Sequence, residues 1–145
     1  MVAAMRLARG RLLCLTLALL LVQCRAADRT DLRRASPSEN DKIRLTAPLA
    51  QAIVSSPLTV SGEARGTWYF EASFPVRLVD ANGGELAAAP ARANGEWMTT
   101  DFVPFDVVLT FSIPATATGT LVLVKDNPSG LSANADSVSI PVRFQ

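Results

Sequence analysis

Four stretches of the chain repeat apolar residues at every second position, and that period leaves little room for anything but strands. Leu58, Val60, Gly62 and Ala64 alternate with Thr59, Ser61, Glu63 and Arg65. Trp68, Phe70, Ala72, Phe74, Val76 and Leu78 alternate with Tyr69, Glu71, Ser73, Pro75, Arg77 and Val79. Val107, Leu109, Phe111 and Ile113 repeat the pattern, and so do Val138, Ile140, Val142 and Phe144. Successive side chains of a strand point to opposite faces, so each stretch reads as a strand with one buried side. Residues 120–124 are apolar on both sides and read as a central strand. The aromatic-rich stretch 68–78 organises the rest. As one long strand it places Phe70 and Phe74 in the core and turns Tyr69 and Glu71 outward.

Turn chemistry separates these runs. Asn82-Gly83-Gly84 and Asn94-Gly95 tolerate the positive φ that tight hairpins require. Thr118-Gly119 and Asn127-Pro128-Ser129-Gly130 mark two later breaks. Pro75 and Pro141 lack a backbone N–H within strands, which assigns them to edges or bulges. Ala87-Ala88-Ala89 suits a helical turn, and Pro90 stops anything longer. Short strands at this spacing predict an all-β, two-sheet antiparallel β-sandwich of about seven strands, immunoglobulin-like in type. The domain spans residues 43–145.

What precedes the domain reads as an export signal and a tether. Arg6, Arg9 and Arg11 form a basic end, the run 12–22 is apolar, and small residues surround Cys24-Arg25-Ala26-Ala27. Either Met1 or Met5 serves as the start. Two endings stand. Leu21-Val22-Gln23-Cys24 resembles the bacterial lipobox, ending the signal at residue 23 and making Cys24 the lipidated first residue. Gln23 departs from the Gly, Ala or Ser usual there. Cleavage after Ala26 ends the signal at residue 26 and releases the chain. The linker 27–42 is charged, with Leu32 its one large apolar residue, and reads as disordered. These features predict an extracytoplasmic protein of the periplasm or cell envelope, touching the membrane only through a lipid on Cys24.

Composition narrows the chemistry. Histidine is absent, with a count of 0, which removes the commonest general base and transition-metal ligand. Both cysteines, Cys14 and Cys24, precede the domain, so it has no disulfide. The chain has 14 basic and 13 acidic residues, and the segment bearing Arg6, Arg9 and Arg11 holds the excess. The remainder has no basic footprint for nucleic acid.

The domain resembles a known family. Ser56-Pro57-Leu58-Thr59-Val60-Ser61-Gly62-Glu63-Ala64, the stretch 68–78, Asp80-Ala81-Asn82-Gly83, Trp97 and Phe102-Val103-Pro104-Phe105 carry the likeness. Leu123-Val124-Lys125-Asp126-Asn127-Pro128-Ser129-Gly130 and residues 138–142 complete it. Together they are similar to the immunoglobulin-like domain associated with bacterial spore germination proteins, over about residues 43–144. The resemblance implies an extracytoplasmic immunoglobulin-like fold without catalytic residues. The family also occurs in bacteria that make no spores.

The residues themselves offer little catalysis. Glu71 is the only ionised group between Arg65 and Arg77, and a strand face explains it. Asp80, Asn82 and Glu85 lack the further ligands of a calcium loop, and a hairpin turn accounts for them. Asp101 and Asp106 read as loop carboxylates. Ser129 has Lys125 as its only conceivable activating partner. No catalytic, metal or cofactor site is assigned. The binding candidates are aromatic. Tyr69, Trp97 and Phe105 come from different segments, and exposed together they would form a rim for stacking on sugars or anchoring a protein. Large aromatics are mostly buried, and on that reading Trp97 and Phe105 instead cap the ends of the core. The expected function is a non-catalytic exported envelope module that binds an envelope protein or glycan. A glycan-binding module using that rim is the alternative, and a small hydrolase the remoter one.

Overall fold

The computed structural model describes residues 41–145, and over this span the chain is all-β with two 3₁₀ turns. The strands are β1 (Ile43–Ala47), β2 (Ile53–Val54), β3 (Leu58–Arg65), β4 (Ser73–Asp80), β5 (Glu85–Ala93), β6 (Phe102–Leu109), β7 (Thr118–Val124) and β8 (Ser137–Phe144). Their order across the sheet is β1-β3-β6-β5-β4-β7-β8-β2. All neighbours are antiparallel except β2 and β8. The sheet curls into two layers that share β5. That strand lies along β4 from Glu85 to Arg92, and only Arg92 and Ala93 reach β6.

The alternating apolar sets meet between the layers. Phe74 of β4 and Phe105 of β6 stand edge to face with centroids 5.0 Å apart. Val60, Leu78, Leu109, Leu121, Ile140 and Val142 are all but sealed from solvent around them. No polar or charged residue is buried among the described residues. Burying each such aliphatic side chain stabilises the fold by roughly 1.5–3 kcal/mol relative to exposure, which lets a domain without disulfides hold together.

Four prolines sit within strands, each where its missing N–H costs nothing. The Pro141 carbonyl faces the outer side of β8, where it accepts the Gln51 N–H at 2.7 Å, so its nitrogen faces away from the β7 ladder. Pro75 turns its nitrogen towards β7 just past the last ladder pair, Val76 with Leu123. Pro90 faces the open edge of β5, and Pro104 faces Asn94, whose N–H its carbonyl accepts at 2.8 Å. All four follow the rule that confines strand prolines to edges and ladder ends.

The expected immunoglobulin-like sandwich of about seven strands is present, and division of its first strand around residues 48–52 into β1 and the two-residue β2 makes eight. Three other expectations change. Ala87-Ala88-Ala89 forms strand, its residues paired with Leu78, Arg77 and Val76, so sheet pairing overrides alanine's helical preference. Asn94-Gly95 opens the longer connection 94–101, not a tight hairpin. Most consequentially, the stretch 68–78 is not one strand. Phe70 and Ser73 exchange backbone hydrogen bonds of 3.0 and 3.1 Å across a two-residue turn, with Glu71 at φ 48° and Ala72 at φ 59°. Positive φ at both central residues is the type I′ pattern usually filled by Asn-Gly. The turn breaks the alternation. Trp68 and Tyr69 are both buried, and Phe70 is 42% exposed.

Candidate functional site

The turn takes Tyr69 out of the candidate aromatic rim, and the core takes Phe105. Tyr69 is buried, its hydroxyl donates to the Val103 carbonyl at 2.8 Å, and its ring meets Phe74 at 5.1 Å. Burial pushes its pKa well above the ordinary tyrosine value. Phe105 is 2% exposed at the centre of the core, because β6 alternation turns it inward against Phe74. Trp97 is half-buried against the same core. The three therefore form no exposed patch. Cys24 lies outside the described residues.

The other candidates resolve into local structure. The Asp80 carboxylate accepts the N–H groups of Asn82 and Gly84 at 2.9 and 2.7 Å, closing the β4–β5 hairpin. Ser129 donates to Asn127 Oδ1 at 2.6 Å, while Lys125 donates to the Asn134 carbonyl at 3.3 Å, so the two are not paired. Asp106 accepts from the Asn94 amide. Among the described residues no group of three His, Cys, Asp or Glu is placed to hold a metal ion.

A different surface emerges at the end of the sandwich where β3, β5 and β7 finish. Three connections, 66–72, 94–101 and 125–136, meet there. Gly66 N–H donates to the Asp101 carbonyl at 3.0 Å, and Asp126 N–H to the Trp68 carbonyl at 3.1 Å, so the first connection is tied to both others. A methyl group on Gly66 would run into the carbonyl oxygens of Trp97 and Thr99, so only glycine lets these two connections approach. The Lys42–Asp136 ion pair at 2.5 Å joins the residue just before β1 to the third connection. The Arg44 and Arg65 guanidinium groups each stack 3.9 Å from the Phe102 ring, covering its faces. Each connection exposes one large apolar side chain: Phe70, Met98 at 74% and Leu131 at 61%. These are three of the six exposed large hydrophobics among the described residues. The sequence hid them, since Met98 and Leu131 stand alone in polar loops and the exposure of Phe70 depends on an unsignalled turn.

Charge separates the two ends. The three connections carry five acidic residues, Glu71, Glu96, Asp101, Asp126 and Asp136, against one basic, Lys125. At the opposite end, connections 55–57, 81–84 and 110–117 carry no charged residue. That end holds an open apolar cleft of about 270 Å³, lined by Val54, Phe111, Pro114 and Phe144 with Ser55 and Ser56 at its side.

The strand order, the shared β5 and the loops gathered at one end define an immunoglobulin-like sandwich that lacks the usual inter-sheet disulfide. The model of one family, the immunoglobulin-like domain of bacterial spore germination, matches residues 42–132, and the chain belongs to that family. β8 lies beyond the matched residues, yet pairs with β7 along its whole length. No curated protein and no solved structure matches the chain. No helix among the described residues is long and apolar enough to cross a membrane.

Proposed function

We propose that the chain is an exported, non-catalytic module of the bacterial cell envelope that works by binding. The observation that carries this reading is the gathering of Phe70, Met98 and Leu131 on three connections at one end of a frame with no buried polar residue. A rigid sandwich that presents exposed apolar side chains on clustered loops is built for contact, and side chains of this size displayed to water favour association. A protein partner fits better than a glycan, because Tyr69 and Phe105 are committed to the core. Export rests on the basic end, apolar run and small residues of segment 1–26. Lipidation at Cys24 is slightly favoured over plain secretion.

Fractionation tests the reading. The full chain is expected with membranes, released by detergent and not by salt, and Cys24→Ala is expected to become soluble. A soluble wild-type protein whose N-terminus reads Ala27 would end the lipoprotein reading and keep export. Protein retained in the cytoplasm with an intact N-terminus would overturn export itself. A cross-linker at Leu131 is expected to give envelope-dependent adducts. Their absence, with the protein correctly located, would remove the binding role.

A further inference from the structure

We infer that the loop end is a docking surface for a basic amphipathic segment of a partner protein, one that presents an apolar stripe flanked by lysine or arginine. The inference rests on the binding role just proposed and deepens it by naming the partner's chemistry. Exposed apolar side chains on all three connections supply the contact: Phe70 at the turn, Met98 in the second connection and Leu131 in the third. The charges around them select the occupant. Glu71 stands at φ 48° on the tip of the turn, next to Phe70. Glu96 is fixed beside Met98, whose backbone N–H it accepts at 2.9 Å. Asp101 and Asp126 lie at the hydrogen bonds that tie the connections together.

The residues flanking these connections carry both signs, Asp41, Glu63 and Asp106 against Lys42, Arg44, Arg65 and Arg92, so this half of the domain holds eight acidic residues and five basic. Lys42 pairs with Asp136, Arg44 with Glu63, and the Arg65 guanidinium is held against Phe102 and the Asp41 and Thr100 carbonyls. The surface therefore offers apolar contact within a net acidic surround, while the opposite half balances Asp80 and Glu85 against Arg77 and Arg143. A second copy docking through the same end would bring like charges together, and an anionic lipid surface would be repelled for the same reason. A partner with apolar and basic groups in alternation satisfies both parts, with the charges steering encounter and the apolar side chains retaining the complex.

The test uses the full chain and two labelled synthetic helices, one of leucine and lysine, the other of leucine and glutamate. Fluorescence anisotropy is expected to show binding of the lysine peptide, weakening as salt rises, and none of the glutamate peptide. Removing two apolar side chains that docking would bury, in Met98→Ser/Leu131→Ser, is expected to weaken binding by about tenfold or more. Both positions are exposed, so the variant is expected to melt like the wild type. Glu71→Gln/Glu96→Gln is expected to weaken binding at low salt and flatten its salt dependence. Ile113→Ser, at the opposite end, is expected to change nothing. Equal binding of both peptides, an unchanged affinity in the Met98/Leu131 variant, or no binding of the lysine peptide would overturn the inference. The last outcome would remove the partner chemistry and leave the envelope-binding role to its own cross-linking test.

Discussion

Tyr69 and Phe70 are neighbours whose roles the structure reverses, and their stabilities measure that reversal. Tyr69 is 5% exposed and packs its ring on Phe74, while Phe70 is 42% exposed at the turn. Truncating a buried aromatic to alanine costs roughly 3–5 kcal/mol, so Tyr69→Ala is expected in that range. About 0.5–1.5 kcal/mol of it belongs to the hydroxyl's hydrogen bond to Val103, which Tyr69→Phe removes alone. Phe70→Ala is expected to cost well under half of the Tyr69→Ala loss. Urea unfolding of the three variants separates these values. Because the chain has 1 tyrosine, ultraviolet titration adds a direct reading. Burial raises the folded-state pKa, so tyrosinate absorbance is expected to stay absent above pH 10 until the protein unfolds. The folded state then holds its proton more tightly than the unfolded one, so stability is expected to fall as pH rises above about 10. Tyr69→Phe is expected to lose that part of the decline. Phe70→Ala matching Tyr69→Ala, or tyrosine ionising at its ordinary value in the native protein, would refute the placement of the turn.

Further predictions follow from the ties at the loop end. Gly66→Ala is expected to destabilise by about 1–3 kcal/mol through overpacking against Trp97 and Thr99, read by thermal unfolding. Replacing Glu71-Ala72 by Asn-Gly is expected to raise stability by about 1 kcal/mol, since left-handed backbone costs other residues roughly 1–2 kcal/mol each. Asp136→Asn is expected to lower the melting temperature slightly at neutral pH. The hydrogen bond from Lys42 lowers the Asp136 pKa, so the contribution is present above the ordinary value of 3.8 and fades as pH falls below it. The Lys42 pKa is raised by the same bond, so the contribution fades again as pH rises past 10.5. A melting difference constant from pH 2 to pH 7 would exclude the ion pair as its source.

Much of the frame was legible because its strands bury one face. Leu58, Val60 and Ala64 point inward from β3, and Ile140 and Val142 from β8, as period two requires. Two places resisted for opposite reasons. In residues 68–78 the apolar spacing runs straight through a turn whose central residues, Glu71 and Ala72, carry none of the usual turn chemistry. A register change of this kind moves side chains to the other face, and it inverted Tyr69 and Phe70. In β5 the alanines carry a helical preference and no alternation in size, so only the partner strand β4 reveals what they form. The loop-end apolar group has no periodicity at all. Its members come from three segments far apart in the chain, and only the closing of the sandwich brings those segments to one end.

The Glu71-Ala72 turn links the frame to the proposed docking surface. Its two residues hold positive φ without the relief glycine or asparagine would give, and the surrounding structure over-determines them. Ala93 N–H donates to the Ala72 carbonyl at 2.9 Å, and Phe70 and Ser73 exchange two bonds across the turn. The consequence is a register break that sends Tyr69 into the core and Phe70 outward, and sets Glu71 beside it at the tip. Asn-Gly would make the same bend with less strain, but it would take the carboxylate away. Stability and charge are therefore coupled at Glu71 and separable at Ala72. Ala72→Gly alone relieves strain and leaves the carboxylate in place, whereas Glu71→Asn removes it. If the turn serves the docking surface, Ala72→Gly keeps the salt-dependent affinity for the lysine peptide and Glu71→Asn weakens it.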